Sequence, residues 1–592
     1  MHKKKGKGIV LIIFLVIVVM AAVAGVQLMK KYMPSKEQQN LNEYFGVSNE
    51  DMAVILDGEI LEDKAIQVEG SIYFPIELVK DVFNQRFYYD YKEDILIYTM
   101  PTQVRYMKLG DTGYCLYKNL NKEERVYEED YGVTVVLKEN DKVYINTQVM
   151  MEYLYDIGSF QVYEEPARVV VFHTDYLKGS EEESTSANYG VVKKHVPLRK
   201  RGGIKSPILR YLERDELVLL GSSFDNWIEI ITEDGFTGYV QSKYIDTETE
   251  DSFECAPKRE QPEFSSQTRD KKISLAWHQS TSLEANAKIE EVLAGCEGIN
   301  VISPTWFALS DNDGNFTNLG QKWYVDTLHA KGIEVWGLIS NFEKTVDTGE
   351  VLSSSSKRHH LIKKLVKESK ALGLDGINLD FEQISSEDGE DYIQFIRELS
   401  VACRKQKLVL SVDNYVPTGY TAHYNRKEQG IFADYIIIMG YDEHYSGSET
   451  AGSVASIGFV KEGIEMTLAE VPAEKVINAI PFYTRIWKET VDGNGTVQVS
   501  SEAAGMERVE NLLKDMNVEP GWNEECKQFY AEYEADGATY KIWLENEISI
   551  EEKMKLIQEN NLAGVAEWKL GLQKNSVWPV INKYLQMMSQ TE

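Results

Sequence analysis

The rhythm of hydrophobic and polar positions changes several times along this chain. Lys3, Lys4, Lys5 and Lys7 precede an uncharged apolar run over residues 8–29, which Lys30 and Lys31 close. At about 1.5 Å per residue the run spans roughly 33 Å as a helix, the thickness of a bilayer's hydrocarbon core. The pattern predicts a transmembrane helix with the basic start in the cytoplasm and the bulk of the chain exported. Two readings stay open. An uncleaved helix makes a single-pass membrane protein, and cleavage at Ala22-Val23-Ala24 makes a secreted one. The run continues past that tripeptide to Met29, which favours the anchor.

Over residues 51–174 the chain alternates short β-runs with turns and a few helical stretches. The sequence around 71–76, 87–90 and 95–99 recurs in weaker form at 142–147, 160–163 and 169–174. Residues 178–188 are polar and predict a linker. Residues 189–246 carry short alternating strands punctuated by glycines, the pattern of a small barrel. A second polar stretch covers 246–271. From residue 272 the period changes again. Apolar runs at 273–277, 299–303, 334–339, 376–381, 408–412, 435–439, 476–480 and 564–568 alternate with amphipathic segments. Between the fourth and fifth, Tyr392, Phe395, Ile396, Leu399 and Cys403 recur on one helical face. Eight βα units predict a (β/α)8 barrel. Residues 488–562, with Trp522, Tyr530, Tyr533 and Trp543, form the largest insertion and are expected to wall a substrate cleft.

The fourth run holds the most telling pattern. Side chains alternate along a strand, so Asn378, Asp380 and Glu382 share one face, and Ile377, Leu379 and Phe381 share the other. The apolar set suits the helix layer, which sends the polar set into the barrel. Polar groups crowded there are costly unless they have partners or work. A helix cap would need one such side chain, and this strand supplies three. Active sites of this fold lie at the C-terminal ends of the strands.

Composition narrows the chemistry. The chain has 63 Lys and Arg against 94 Asp and Glu, a net charge of −31, which argues against nucleic acid as a partner. With 43% hydrophobic residues it has material for ordinary cores, and 34 tyrosines and 10 tryptophans supply flat rings of the kind that stack on sugars. Cys115, Cys255, Cys296, Cys403 and Cys526 are far apart and form no CxxC pair, and His359 and His360 are adjacent. No disulfide framework, metal site or cofactor is expected.

The motif Asp375-Gly376 … Asp380-Phe381-Glu382 resembles glycoside hydrolase family 18, whose middle Asp is Asn378 here. Met439-Gly440-Tyr441-Asp442 matches the family's M-x-Y-D after the sixth strand. Pro481-Phe482-Tyr483-Thr484-Arg485 resembles its Y-x-R segment after the seventh, and Trp568 ends the eighth. Ile302-Ser303-Pro304-Thr305-Trp306 and Gly564-Val565-Ala566-Glu567-Trp568 resemble the spore and cell-wall branch. Residues 45–176 resemble the stalk domain related to the N-terminal domain of copper amine oxidases, without copper chemistry. Residues 189–246, with Trp227 and Asp234-Gly235-Phe236-Thr237-Gly238-Tyr239-Val240, resemble a bacterial SH3-like domain, often a wall or peptide binder. The expected fold is therefore multidomain. A basic start and membrane helix (1–31) and an α+β stalk (45–176) precede a small all-β barrel (189–246) and an α/β TIM barrel (270–590).

The resemblance implies a retaining, substrate-assisted glycosidase, in which the sugar's own 2-acetamido oxygen attacks the anomeric carbon. Glu382 would be general acid and then base, and Asp380 would orient the acetamide. Tyr441 would bond the acetamide oxygen, Asp442 would contact the −1 sugar, and Trp568 would floor that subsite. Asn378, Arg485 and Trp306 are expected sugar contacts, and Met439 supports the site. Asp375 is expected beneath the site, held by backbone and hydroxyl donors. Because Asn378 cannot take up a proton, Asp380 is expected to stay ionised to lower pH. The implied substrate is a β-1,4-linked N-acetylated amino-sugar polysaccharide: peptidoglycan, spore cortex or chitin. A carbohydrate-binding wall protein that has lost catalysis is the open alternative, and the acid Glu382 argues against it.

Overall fold

The computed structural model describes residues 5–48, 51–120, 122, 126–179, 188–491, 493 and 495–589. Lys3, Lys4 and most of the expected 178–188 linker lie outside the described residues. The chain divides into two compact units. One comprises Met1–Phe87, Met107–Cys115 and Glu124–Gln261, and the other comprises Tyr88–Tyr106, Leu116–Glu123 and Pro262–Glu592.

In the first unit the N-terminal helix Lys5–Tyr32 includes a stretch, Val10–Tyr32, long and apolar enough to cross a membrane. A seven-stranded sheet follows. Its strand Asp51–Leu56 pairs in parallel with Ala167–His173 and antiparallel with Glu59–Val68. A second seven-stranded sheet spans 189–246 and is antiparallel throughout. Leu198, Leu212, Val218, Ile230 and Val240 supply its buried face.

The second unit is built on eight parallel strands: β1 Ile273–His278, β2 Val301–Pro304, β3 Glu334–Ser340, β4 Gly376–Asp380, β5 Val409–Tyr415, β6 Tyr435–Met439, β7 Val476–Pro481 and β8 Gly564–Trp568. They pair in sequence, and β8 lies between β7 and β1, which closes the barrel. The closure is tight at Gly564, where an added Cβ would stand 2.1 Å from the Ile273 carbonyl oxygen. Leu275, Trp277, Trp336, Leu338 and Ile437 fill the interior, whereas Ile377, Leu379 and Phe381 pack outward against helices. The alternation expected for the fourth run is thus the one observed. The helix after β4, Gly389–Gln406, buries Tyr392, Phe395, Ile396, Leu399 and Cys403. The insertion after β7 is a five-stranded antiparallel sheet that begins at Tyr483.

Two pieces from within residues 45–176 group with the barrel unit. Helix α1, Ser355–Leu372, explains their attachment. Asp90 accepts from the Ser355 amide at 2.6 Å, and Glu93 accepts from the Ser356 amide at 2.8 Å. Both carboxylates sit at the positive end of the helix dipole. Arg358, one turn on, is completely buried. It pairs with Glu398 of α2, Gly389–Gln406, at 3.0 Å and donates to the Tyr88 hydroxyl at 3.1 Å. Removing one partner of such a pair strands the other charge in a low-dielectric interior. Arg358→Ala should therefore cost about 3–5 kcal/mol in the barrel's denaturant-unfolding transition. The apolar pair Arg358→Met with Glu398→Met should recover most of that loss.

Candidate active site

The candidate site lies at the C-terminal ends of the barrel strands. β4 delivers Asn378 and Asp380 inward, and Glu382 follows just past the strand end. The ladder pairs Asn378 with Ser411 and Leu379 with Val412. Continued by one and three residues, that register sets Asp413 beside Asp380 and Tyr415 beside Glu382.

Asn378 is fully buried and fully engaged. Its carbonyl oxygen accepts from the Trp277 indole and the Ser303 hydroxyl, both at 2.9 Å. Its amide donates to the Ser411 hydroxyl at 3.1 Å and to Asp413 at 2.7 Å. No position is left for a sugar, so Asn378 supports the site from below rather than contacting a ligand. It also bonds Asp413, not Asp380.

Asp380 is 6% exposed, and its Oδ1 is buried with no hydrogen-bond partner. Burial raises its pKa well above the carboxylate range, and the charges of Asp413 and Glu382 raise it further. This reverses the expectation that Asp380 stays ionised to lower pH. Replacing the strand's middle carboxylate by Asn378 does remove one negative neighbour. Asp413, on the adjacent strand, restores one. Asp413 is raised likewise by burial, while the Asn378 amide pulls it back toward the ionised form.

Glu382 is half-buried. Asn341 fixes its backbone from both sides: the Glu382 amide donates to Asn341 at 2.9 Å, and the Asn341 amide donates to the Glu382 carbonyl at 2.9 Å. Its carboxylate accepts from the Tyr415 hydroxyl at 2.6 Å. Burial raises its pKa, the Tyr415 hydrogen bond lowers it, and the Asp442 charge raises it. The net direction is upward, as a proton donor near neutral pH requires. Tyr415→Phe removes the bond that favours the carboxylate. Glu382 should then hold its proton to higher pH, and the alkaline limb of kcat/KM should move up by about one pH unit. A pH–rate profile checks this.

Tyr441 follows β6. Its phenol is raised far above its ordinary value by burial and by neighbouring Tyr483, Asp413, Asp380 and Asp442, so it remains a donor. Its ring lies 6.5 Å from that of Trp568 at 30°, and Trp568 meets Trp277 edge-on at 5.6 Å. Asp442 is exposed and accepts from the Tyr483 hydroxyl. Met439 ends β6. These residues come together as the motifs suggested.

Two others stand elsewhere, and Arg485 lies near enough to Tyr483 for its charge to act on that phenol. Trp306 is 1% exposed, donates to Asn286 at 2.9 Å and packs in the outer core, because its strand end turns it toward the helix layer. Arg485 lies on the insertion's first strand and donates to Ser501 at 3.2 Å. Asp375 precedes β4 at the opposite end of the barrel. It accepts from the Val335 amide at 2.8 Å and bonds the His329 imidazole at 2.7 Å, with no hydroxyl involved. Asp413, Tyr415, Asn341 and Tyr483 had no assigned role in the sequence. The signal for the first two was present: Ser411, Asp413 and Tyr415 alternate as Asn378, Asp380 and Glu382 do, in a strand that the apolar criterion ended at 412.

Residues 312–573 match the model of glycosyl hydrolases family 18. The chain is 27% identical over 301 residues to the uncharacterized glycosylase YvbX of Bacillus subtilis, covering 48% of this chain and 84% of that protein. It is 26% identical over 266 residues to the cortical fragment-lytic enzyme of Bacillus subtilis, covering 43% of this chain and 61% of that one. The Bacillus cereus spore cortex-lytic enzyme SleL superposes with a TM-score of 0.48 at 21% identity, over 54% of this chain and 75% of that one.

Proposed function

Starting from a barrel that is a family 18 glycosyl hydrolase domain, and hence a glycosidase, we propose that it cleaves β-1,4 bonds following N-acetylglucosamine by a retaining, substrate-assisted mechanism. The observation that carries this reading is the orphaned Oδ1 of Asp380. A buried acceptor without a partner is rare in folded proteins. An acetamide N–H of a bound sugar would satisfy it, and that same contact would turn the acetamide oxygen toward the anomeric carbon.

The roles follow from the surroundings. Glu382 enters protonated and gives its proton to the leaving oxygen. The acetamide oxygen forms a bond to C1 as the glycosidic bond breaks, and the electron pair leaves with the aglycone. Asp380 stabilises the positive charge that develops on the acetamide. Tyr441 donates to the acetamide oxygen and holds it in line, Asp442 contacts the −1 sugar, and Trp568 floors it. Glu382, now a carboxylate, takes a proton from water, which opens the cyclic intermediate with retention. Before substrate arrives Asp380 and Asp413 share one proton, because two buried carboxylates side by side resist double ionisation, and the Asn378 amide favours the charge on Asp413.

Peptidoglycan or spore cortex is the proposed substrate class. The cortical fragment-lytic relative and the apolar N-terminal helix support an exported, membrane-anchored enzyme acting on wall glycan. Residues 189–246 are proposed as a wall-binding SH3-like module and 45–176 as a stalk. Acetylated and chemically N-deacetylated glycans of equal length separate this mechanism from others. Acetylated chains should be cleaved and deacetylated ones left intact. Equal rates on both would overturn the participation of the acetamide.

A further inference from the structure

Away from the strand ends, the flank of the barrel has an open cavity. Helices α1 and α2 form its floor, and residues around Val104–Tyr106, Leu116–Lys118 and Lys122 form its walls, around an open hollow of about 1030 Å³. That is at the upper end of the volumes that hold small molecules. Val104, Tyr106, Ile362, Val366, Val401 and Ala402 make the lining predominantly apolar. Tyr117 stacks on His359 at one wall, with ring planes 11° apart.

The rim is cationic. Lys118, Lys122, Lys363, Lys367, Lys370 and Lys405 all border the cavity and are all exposed. Among the described residues none of the six forms an ion pair. This contrasts with other helical lysines of the chain, such as Lys461 with Glu465 and Lys514 with Glu510. The carboxylate in the lining, Glu398, is committed to Arg358. Lys363, Lys367 and Lys370 fall at i, i+4 and i+7 of α1, a single face that also carries Ile362 and Val366. Lys370 and Lys405 occupy last turns, where cations complement the helix dipole. Lys118 falls likewise in the last turn of the short helix Tyr117–Leu120, and dipole complementation does not account for Lys122, Lys363 and Lys367. The burial of His359 and the charges of Lys363 and His360 push its imidazole down to about 4, so it is a neutral wall.

Among the described residues, these six lysines gather round one apolar hollow without an ion pair, in a chain of net charge −31. Like charges gathered round one hollow repel, and a ligand that neutralises them gains that energy on binding. The floor asks for hydrocarbon and the rim for an anion. A wall polyanion or a free phosphate would use the rim and leave the floor empty. We propose that this cavity binds an anionic phospholipid, with an acyl chain on the floor and the phosphate among the lysines. A chain bearing a helix apolar enough to span a membrane meets such lipids. The site lies outside the glycan-cleaving centre and does not depend on that reading.

The test uses the full-length protein in a nonionic detergent, titrated with lysophosphatidylglycerol, lysophosphatidylcholine or glycerol phosphate. Binding is followed by native mass spectrometry. The anionic lipid should bind at least tenfold more tightly than the zwitterionic one, and glycerol phosphate should bind weakly or not at all. Lys363→Gln, Lys367→Gln and Lys370→Gln combined should weaken lysophosphatidylglycerol roughly 100-fold. The triple variant keeps the N-terminal helix and its own lysines, so the difference reports the cavity. Its thermal unfolding transition should match the wild type, which verifies folding. Ala402→Trp, which fills the floor, should weaken both lipids. Equal binding of the two lipids, or an unchanged affinity in the triple variant, would refute the proposal. Glycerol phosphate binding as tightly as the lipid would refute it too and point to a polyphosphate polymer.

Discussion

Glu382→Gln should reduce glycan cleavage by about 100- to 10,000-fold while leaving glycan binding within a few-fold of wild type. The substitution keeps the size of the side chain, its oxygen for the Tyr415 hydroxyl, and the Asn341 clamp on the backbone. It removes the one property the first step needs, a proton that can leave. The carboxyl it replaces is raised by burial and by Asp442, which favours the protonated form that the first step uses, and the variant has no substitute for that proton. Reducing-end release from peptidoglycan, measured beside calorimetric binding of chitooligosaccharides, checks both halves. Cleavage within fivefold of wild type would remove Glu382 from the acid's role. Binding without cleavage by the wild type itself would support the carbohydrate-binding alternative.

Asp380→Asn is expected to cost about 100- to 1,000-fold in kcat, the scale of losing one preorganised charge facing a developing cation. KM should change little, since an amide still offers an oxygen to the sugar's N–H. Asp413→Asn is expected to behave differently, and the difference identifies the pair. Asp380 is raised by burial and by the charge of Asp413, so deleting that charge lowers it. The reaction needs Asp380 as a carboxylate when the cation forms. A group whose pKa falls becomes available at lower pH, so the acid limb of kcat should move down in Asp413→Asn while Asp380 still acts. A pH–rate profile of each single variant separates the two. An acid limb that stays put in Asp413→Asn would mean that Asp413 serves only to hold Asn378.

The Asn378 position shows how one strand's reading can be right in its parts and wrong in its sum. The polar face of β4 is inward, as the period of two demands, and the apolar face joins the helix layer. The inference that a strand-4 amide leaves Asp380 freely ionised failed because charge balance in a barrel is set across strands. The register that pairs Asn378 with Ser411 brings a carboxylate from 413 beside Asp380. Trp306 failed for the complementary reason. Its place after β2 was legible, but the direction of its ring was set by packing against Tyr324 and by the acceptor on Asn286.

Local spacing by itself determined the eight βα units, the inward trio on the fourth strand, the apolar helix at the start, and the order of Met439–Asp442 and Trp568 along the chain. Each is a property of neighbours in sequence, governed by the periods of strand and helix. The tertiary structure alone decided which strands share a charge, that Tyr415 bonds the acid, that Asp375 sits at the far end of the barrel, and that six lysines from three separate segments surround one hollow. Coulomb interactions and hydrogen bonds act through space, and only closure of the barrel brings residues from separate elements within their reach.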